Sequence, residues 1–243
     1  MNLPLPRRNR GGRRLPRTLS SDPVTKPRLT TVDGVTVGPF QENTYVLRRT
    51  EAPDVIIIDP GDEAERLVAL VEDHGWRPRA IVNTHAHLDH MGAVQGLKER
   101  YGIPFYLHPD ERSVLTAAPE HARLFGVREP AVPAVDAPLH DGLVLAVAGL
   151  ELTVIHTPGH TPGGVSLQVD GRLFAGDTLF YGSVGRTDLP GGDWETLMRS
   201  LRERILVLPD ETLVHSGHGP DTTVGRERRH NPFLAEGDVD EEP

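Results

Sequence analysis

The most informative stretch of this chain reads Thr84-His85-Ala86-His87-Leu88-Asp89-His90. It places three histidines and an aspartate within six residues, directly after a predicted strand at 80–83. A loop at a strand end can aim successive side chains inward, so two histidines can grip one cation while Asp89 and His90 face a second. Imidazole and carboxylate ligands without sulfur suit Zn, Fe, Mn, Co or Ni. The stretch therefore predicts a metal site.

Composition limits the other interpretations of the chain. Its 243 residues, 37% of them hydrophobic, are enough for one substantial core and predict one domain. The absence of cysteine excludes disulfides, thiolate ligands and a cysteine nucleophile, so any metal must be held by His, Asp or Glu. The formal net charge of -9 argues against a nucleic-acid groove in the folded part.

Charge is unevenly distributed along the chain. Residues 1–28 are rich in arginine and proline with Asp22 as their single acid, and we expect a disordered basic tail there. A targeting or nucleic-acid-binding arm is the alternative. We expect the domain to span 29–235 and an acidic tail to span 236–243. Without an apolar signal stretch or an apolar run of about 20 residues, we expect a cytoplasmic protein with no membrane partner.

Periodicity predicts an α/β protein with more strands than helices. Strands are predicted at 29–37, 43–48, 54–59, 80–83, 105–107, 143–147, 151–155, 165–169, 172–175 and 212–215. Helices are predicted from a capping box at Asp62 and Glu65 to Gly75, and at 92–100, 193–207 and 223–229. The stretch 109–140 contains five prolines and is interpreted as a helix followed by an irregular connection.

Three later stretches complete a recognisable set. They are Thr157-Pro158-Gly159-His160-Thr161-Pro162-Gly163, Gly176-Asp177-Thr178-Leu179-Phe180 and Ser216-Gly217-His218-Gly219-Pro220. With residues 84–90 they resemble, in the same order, the metal-ligand motifs of the metallo-β-lactamase superfamily. The resemblance covers about residues 29–235 and implies a four-layer αββα sandwich, which pattern alone would not select.

The same resemblance implies a two-metal site. It assigns His85, His87 and His160 to a first metal, Asp89, His90 and His218 to a second, and Asp177 to a bridge between them. The cofactors would be two divalent ions, with Zn favoured over Fe or Mn. The implied reaction is attack on an acyl group by a metal-bridging hydroxide. Asp89 and Asp177 are the implied catalytic residues, Asp89 also orienting the hydroxide.

A narrower resemblance concerns the substrate. The segment 176–193, GDTLFYGSVGRTDLPGGD, and the segment 222–234 resemble short, single-domain glyoxalase II-like proteins, or hydroxyacylglutathione hydrolases. This implies cleavage of S-2-hydroxyacyl thioesters such as S-lactoylglutathione. Longer members carry a C-terminal helical region that helps bind glutathione, and we expect no counterpart here.

The substrate contacts also depart from the family pattern. Longer glyoxalase II enzymes have a lysine and a tyrosine after the bridging-aspartate loop, where this chain has Arg186 and Asp188. Arg186 is predicted to clamp a substrate carboxylate, or alternatively to form a loop salt bridge with Asp188. Tyr181 is a second candidate for the substrate pocket.

Other activities of the superfamily remain open. A persulfide dioxygenase would use a single iron held by His85, His160 and Asp177, and Gly185-Arg186-Thr187-Asp188 resembles that family too. The longer match through 189–193 and 231–234 favours the hydrolase. The acidic domain disfavours a nuclease, and the lack of a secretory signal disfavours a drug-resistance β-lactamase. A non-catalytic binding protein on this fold is the remaining class.

Overall fold

The computed structural model describes residue 1 and residues 29–234. The strands are β1 (Thr30–Val37), β2 (Glu42–Arg49), β3 (Asp54–Ile58), β4 (Arg77–Val82), β5 (Phe105–Leu107), β6 (Ala137–Pro138), β7 (Val144–Val147), β8 (Leu150–His156), β9 (Val165–Val169), β10 (Arg172–Gly176), β11 (Leu179–Phe180), β12 (Ser183–Val184), β13 (Leu213–Ser216) and β14 (Thr222–Thr223). The helices are α1 (Ala64–Asp73), α2 (Leu88–Met91), α3 (Val94–Tyr101), α4 (Arg112–Phe125), α5 (Trp194–Ser200) and α6 (Val224–His230).

Two six-stranded sheets carry the fold. The first has the order β1-β2-β3-β4-β5-β6 and the second the order β14-β13-β10-β9-β8-β7. The first sheet begins antiparallel and becomes parallel from β3 onward. In the second sheet β10 and β13 are parallel, and the other neighbours are antiparallel. A small third sheet pairs β11 with β12.

The alternation of side chains along β3 explains why the sheets stack. Ile57 faces a core shared with α1, α3 and α4, whereas Ile56 and Ile58 face a core shared with the second sheet. On the far side of the second sheet, Leu173 packs with Leu197 of α5. Three apolar layers thus separate helices, sheet, sheet and helices. This confirms the predicted αββα sandwich.

The strand directions bring the ends of several strands to one edge. Parallel β3 and β4 end at Ile58 and Val82, just before Asp59 and the 84–90 loop, and parallel β10 and β13 end just before Asp177 and Gly217. Backbone hydrogen bonds tie the two sheets there, from Val165 to Thr84 at 2.9 Å among others. Ligands of α/β sheets commonly bind beyond the carboxyl ends of strands.

Two helix predictions need correction. Asp62 is not the N-cap of α1, because Glu63 occupies that position in a left-handed conformation with φ 51° and no side-chain cap bond. Asp62 instead accepts a 2.6 Å hydrogen bond from the Glu63 backbone N–H. The helix predicted over 193–207 begins as expected, because Asp193 is its N-cap and accepts a hydrogen bond from the Thr196 backbone N–H. It changes, however, to a π-helical turn at Leu201–Ile205.

The tail predictions for 1–28 and 236–243 lie almost entirely outside the described residues. Among residues 29–234, no helix combines the length and the apolar character needed to cross a membrane.

Candidate metal centre

The structure gathers the seven predicted ligands at this edge of the sandwich. Ligand atoms of His85, His87 and His160 lie within 4.8 Å of one another. A second set with the same spacing is formed by Asp89, His90 and His218. The two sets follow the division between a first and a second metal that the sequence predicts.

Asp177 lies between the two sets. Its Oδ1 is 3.3 Å from His90 Nε2, and its Oδ2 is 3.6 Å from His160 Nε2. The same Oδ2 is 3.5 Å from His218 Nε2, and His218 Nε2 is 3.3 Å from Asp89 Oδ2. One carboxylate thus faces histidines of both sets, which is the arrangement a bridging ligand requires.

Three histidine rings are oriented by groups on their outer side. His160 Nδ1 donates to the Arg186 carbonyl at 2.7 Å, because a carbonyl can only accept. His90 Nδ1 donates a hydrogen bond of 3.2 Å to the carboxylate oxygen Oδ2 of Asp59. Thr84 donates its hydroxyl to Asp59, so the hydroxyl oxygen is free to accept from His85 Nδ1 at 3.1 Å. Each ring thereby turns Nε2 inward as a lone-pair donor.

The ligand atoms that face the centre of the site are suited to binding cations. His85 Nε2, His90 Nε2 and Asp177 Oδ1 are buried without a hydrogen-bond partner, and such atoms are costly unless something satisfies them. His87 Nδ1 and His160 Nε2 face each other at 2.9 Å, and a shared cation would use the lone pairs of both. The donor set of imidazoles and carboxylates suits a divalent transition metal.

The pKa directions give metal-binding forms to two histidines of the first set and to Asp177. Burial, with the neighbouring His90 adding to it, lowers the pKa of His85 well below its usual range. Burial and the neighbouring His160 lower the pKa of His87 to about 3. Burial alone would raise the pKa of Asp177, but His90, His160 and His218 together outweigh it and hold that pKa well below its usual range. Neutral His85 and His87 beside an ionised Asp177 have the forms that bind metals. Burial would lower the pKa of His90, but Asp177, Asp59 and Asp89 together raise it well above its usual range, so metal binding there would release a proton.

The site includes Asp59, a residue that the sequence analysis did not select. Asp59 is buried at the end of β3 and accepts from the Thr84 backbone N–H and hydroxyl, both at 2.6 Å, as well as from His90. Its position at the carboxyl end of a buried parallel strand, next to the strand before the histidine motif, was the signal that could have identified it.

Two more buried carboxyl groups surround the ligands. Glu111 is fully buried and accepts from the backbone N–H groups of Ala86 and Gly163, each at 2.8 Å. Glu42 is also fully buried; its Oε2 accepts from Thr44, and burial raises its pKa well above the usual range. Neither glutamate stands in a motif, so the sequence offered no local signal for either.

A cavity of about 390 Å³ opens over the ligands. Its floor contains five of the seven predicted ligands, His87, Asp89, His160, Asp177 and His218. Its walls are mostly apolar and are formed by Phe40, Leu88, Phe125, Phe180, Val184 and Leu189, with His121 and Arg186 beside them. A concave, largely apolar space with polar groups converging at its base is the usual form of a small-molecule site.

The two predicted substrate contacts differ in position. Arg186 lines the cavity, but its guanidinium is held by the Asp188 carboxylate in two hydrogen bonds of 2.7 Å. Tyr181 lies outside the cavity lining, is half-exposed, and has the Arg226 guanidinium 3.5 Å above its ring. The structure therefore brings Arg186 to the cavity and leaves Tyr181 away from it.

Comparison with known proteins agrees with this geometry. The family model described as metallo-beta-lactamase superfamily matches residues 37–218. The probable metallo-hydrolase YqgX of Bacillus subtilis is 43% identical over 202 residues, covering 82% of this chain and 94% of the relative. Hydroxyacylglutathione hydrolase GloC of Haemophilus influenzae is 38% identical over 212 residues, covering 84% and 97%.

Solved structures show the same fold. BLEG-1 B3 metallo-beta-lactamase superposes with a TM-score of 0.80 at 42% identity, covering 84% of this chain and 100% of that chain. TTHA1623 in a di-iron-bound form gives 0.77 at 48% identity, with 83% and 100% covered. ETHE1 from Myxococcus xanthus gives 0.72 at 26% identity, with 84% of both chains covered. With the clustered ligands, the di-iron relative indicates a binuclear metal site. The chain belongs to the metallo-β-lactamase superfamily.

Proposed function

We propose that this protein is a glyoxalase II-like thioesterase, which hydrolyses S-2-hydroxyacyl thioesters such as S-lactoylglutathione. The observation that carries the proposal is the grouping of two ligand sets around Asp177 at the floor of a cavity. The similarity to hydroxyacylglutathione hydrolase GloC supports the choice of thioesters among acyl substrates.

Two bound divalent cations would supply hydroxide at neutral pH and polarise the thioester carbonyl. The metals we propose are zinc, with iron or manganese as alternatives. The described ligands would hold them in the two sets given above, with Asp177 shared. The expected partner is a small-molecule thioester, with no nucleic acid, and the cytoplasm is the proposed location.

The chain's own residues would perform two further tasks. Asp89 lines the cavity beside His218, so its carboxylate is placed to accept a hydrogen bond from the attacking water and to orient it. The apolar walls exclude bulk water from the acyl group, which strengthens electrostatic interactions at the cavity floor. A thiolate is a good leaving group, so the reaction does not need a strong general acid.

The proposal is tested by measuring turnover of S-D-lactoylglutathione by the purified protein while its metals are counted. We expect hydrolysis with two metals per chain. Asp177→Asn should lose most of the turnover and retain fewer metals, because an amide is a weaker bridge than a carboxylate. Asp73→Asn, a change on the exposed side of α1, is the matched control. Full activity and metal content in Asp177→Asn would contradict the proposed bridge.

Persulfide oxidation is the second candidate. ETHE1 shares the fold at 26% identity, and the residues that would hold the single iron of a persulfide dioxygenase, His85, His160 and Asp177, are among the seven predicted ligands. Oxygen consumption on glutathione persulfide by iron-loaded protein, without thioester hydrolysis, would replace our proposal with this one. Because the chain is 42% identical to BLEG-1 B3 metallo-beta-lactamase, a β-lactam is included in the assay as a third substrate. We expect the thioester to be preferred over the β-lactam.

A further inference from the structure

The walls of the cavity carry information about the substrate beyond the reaction type. Phe40, in the turn between β1 and β2, and Phe125, in the last turn of α4, meet edge to face with ring centroids 5.7 Å apart. Phe125 nevertheless remains 50% exposed. An apolar ring left partly exposed at the mouth of a cavity is available to a ligand.

The same walls lack free positive charge. Arg186 is the one arginine or lysine that lines this cavity within residues 29–234, and Asp188 engages it with both carboxylate oxygens. The hydrogen bond from Arg186 lowers the pKa of Asp188 to about 2, so the carboxylate stays ionised at neutral pH. Glutathione carries two carboxylates and one ammonium group, and the cavity walls offer those carboxylates no arginine or lysine that is not already paired.

The groove beside the cavity mouth is acidic. It shares Phe40, Leu88 and Asp89 with the cavity. Its further lining includes five acidic side chains and three arginines: Asp62, Glu63, Glu65, Glu99, Glu129, Arg66, Arg100 and Arg128. Two of the arginines are paired with glutamates, Arg66 with Glu63 at 2.6 Å and Arg100 with Glu72. A thiol carrier extending from the cavity into this groove would meet net negative charge.

From these observations we infer that the cavity selects its thioester through an uncharged, apolar group of about phenyl size, and that an anionic carrier such as glutathione adds little to binding. The inference rests on the proposed thioesterase function and deepens it. The apolar group can belong to the acyl side or to the thiol side of the ester. Phe125, with Phe40 against it, is the specificity-determining wall.

Four thioesters separate these possibilities. They are S-D-lactoylglutathione, S-mandeloylglutathione, the D-lactoyl thioester of benzyl mercaptan and the D-lactoyl thioester of N-acetylcysteamine. We expect kcat/KM for one or both phenyl-bearing esters to exceed that of S-D-lactoylglutathione by about tenfold or more, as burial of a phenyl-sized group predicts. The faster phenyl ester tells whether the acyl or the thiol side meets the wall. The small neutral N-acetylcysteamine ester should at least equal the glutathione ester.

A pair of neighbouring variants localises the preference. Phe125→Ala should reduce the phenyl preference, measured as the ratio of the two kcat/KM values, about tenfold. Leu124→Ala is the matched control, because Leu124 stands in the same helical turn, is 78% exposed and does not line the cavity. It should keep the preference of the unaltered protein.

The outcomes that overturn the inference differ from those that overturn the proposed function. Hydrolysis with S-D-lactoylglutathione as the best substrate would overturn the inference alone. A phenyl preference that Phe125→Ala leaves intact, or that Leu124→Ala reduces equally, would also overturn it. Failure to hydrolyse any of the four esters by metal-loaded protein would overturn the proposed function, and the inference with it.

Discussion

The backbone N–H of Ala86 donates a 2.8 Å hydrogen bond to the Glu111 carboxylate. Ala86 stands between two predicted ligands of the first metal, and the other oxygen of Glu111 accepts from Gly163 in the loop of the third. A single buried carboxylate therefore joins the two loops that must converge on one cation. Glu111 acts through the loops and has the role of a positioning residue.

Replacing this carboxylate should weaken the first metal position. In Glu111→Gln, the amide nitrogen would face one of the two N–H donors, so one hydrogen bond is lost and a donor meets a donor. We expect affinity for one of two metals to fall by roughly 10–100-fold, as for other groups that orient metal ligands. Titration of metal-free protein with Co(II) against a chromophoric chelator would measure it.

Stability and metal affinity need to be separated in this variant. Glu120→Gln, on the exposed face of α4, the helix that Glu111 precedes as N-cap residue, is the control and should bind both metals as the unaltered protein does. The thermal unfolding of metal-free Glu111→Gln reports any general loss of stability. A variant that is destabilised but binds both metals normally would show that Glu111 only supports the fold.

Gly217 gives a steric test of the site. A Cβ at this position would lie 2.2 Å from Asp177 Oδ1 and 2.6 Å from His90 Cε1, so Gly217→Ala must displace a predicted ligand. We expect the metal count per chain to fall and turnover to drop by roughly a hundredfold, the size typical of a 1 Å misplacement in an active site. Metal analysis beside a thioester assay would measure both.

A tolerated glycine provides the comparison. Gly34 in β1 would place its Cβ 3.4 Å from the Tyr45 ring, which is ordinary contact. Gly34→Ala should therefore keep metal content and turnover. Equal behaviour of the two variants would mean that the close packing around Asp177 is not needed for metal binding.

The seven predicted ligands stand in short motifs, and the structure brings them together. The 84–90 loop comes directly after β4, and the β-branched residues of Val55–Ile58 indicate a buried strand. Local patterns of this kind determine an element and the loop that leaves it. For this reason the four candidate ligands of the 84–90 loop were predictable from the residues themselves, whereas His160, Asp177, His218 and the sandwich were predicted through the family resemblance.

The remaining features depend on contacts between distant parts of the chain. Glu111 meets its two partners across 25 and 52 residues, and Phe40, before β2, meets Phe125 at the end of α4. No hydrophobic periodicity in the sequence predicts contacts between residues so far apart in the chain. The capping prediction at Asp62 failed for a local reason, because Glu63 takes the left-handed conformation and displaces the start of α1 by one residue.

The Arg186–Asp188 pair can be tested as a closed clamp, that is, as a guanidinium that stays bound to Asp188 and does not reach the substrate. Removing its acid in Asp188→Ala should free the guanidinium for a substrate carboxylate, so KM for S-D-lactoylglutathione should fall relative to KM for the neutral N-acetylcysteamine ester. Arg186→Ala should raise the KM for the glutathione ester by no more than about fivefold, because the exposed guanidinium is already engaged. Steady-state kinetics with the two esters would measure both changes.

Either of two results would contradict the closed clamp. A rise in KM of roughly a hundredfold in Arg186→Ala would mean that Arg186 leaves Asp188 and binds substrate in the unaltered protein. A loss of kcat with unchanged KM would place its effect on His160, whose Nδ1 donates to the Arg186 carbonyl.

Metal removal should lower the stability of the fold as well as its activity. Without cations, His85 Nε2, His90 Nε2 and Asp177 Oδ1 stay buried and unsatisfied, whereas bound metals stabilise the folded state by mass action. At about a hundredfold excess of metal over its dissociation constant, we expect chelation to lower Tm by roughly 5–10 °C. Calorimetry with and without chelator, followed by zinc addition, would measure the shift and its reversal.

The Asp177→Asn variant shows whether that shift comes from the two-metal site. Because the variant should hold fewer metals, chelation should lower its Tm by less than in the unaltered protein, and its metal-treated Tm should be lower from the start. A chelator-induced shift of the same size in both proteins would place the stabilising metal elsewhere. No shift in either would mean that the clustered histidines are satisfied without a cation, and the binuclear interpretation would fail.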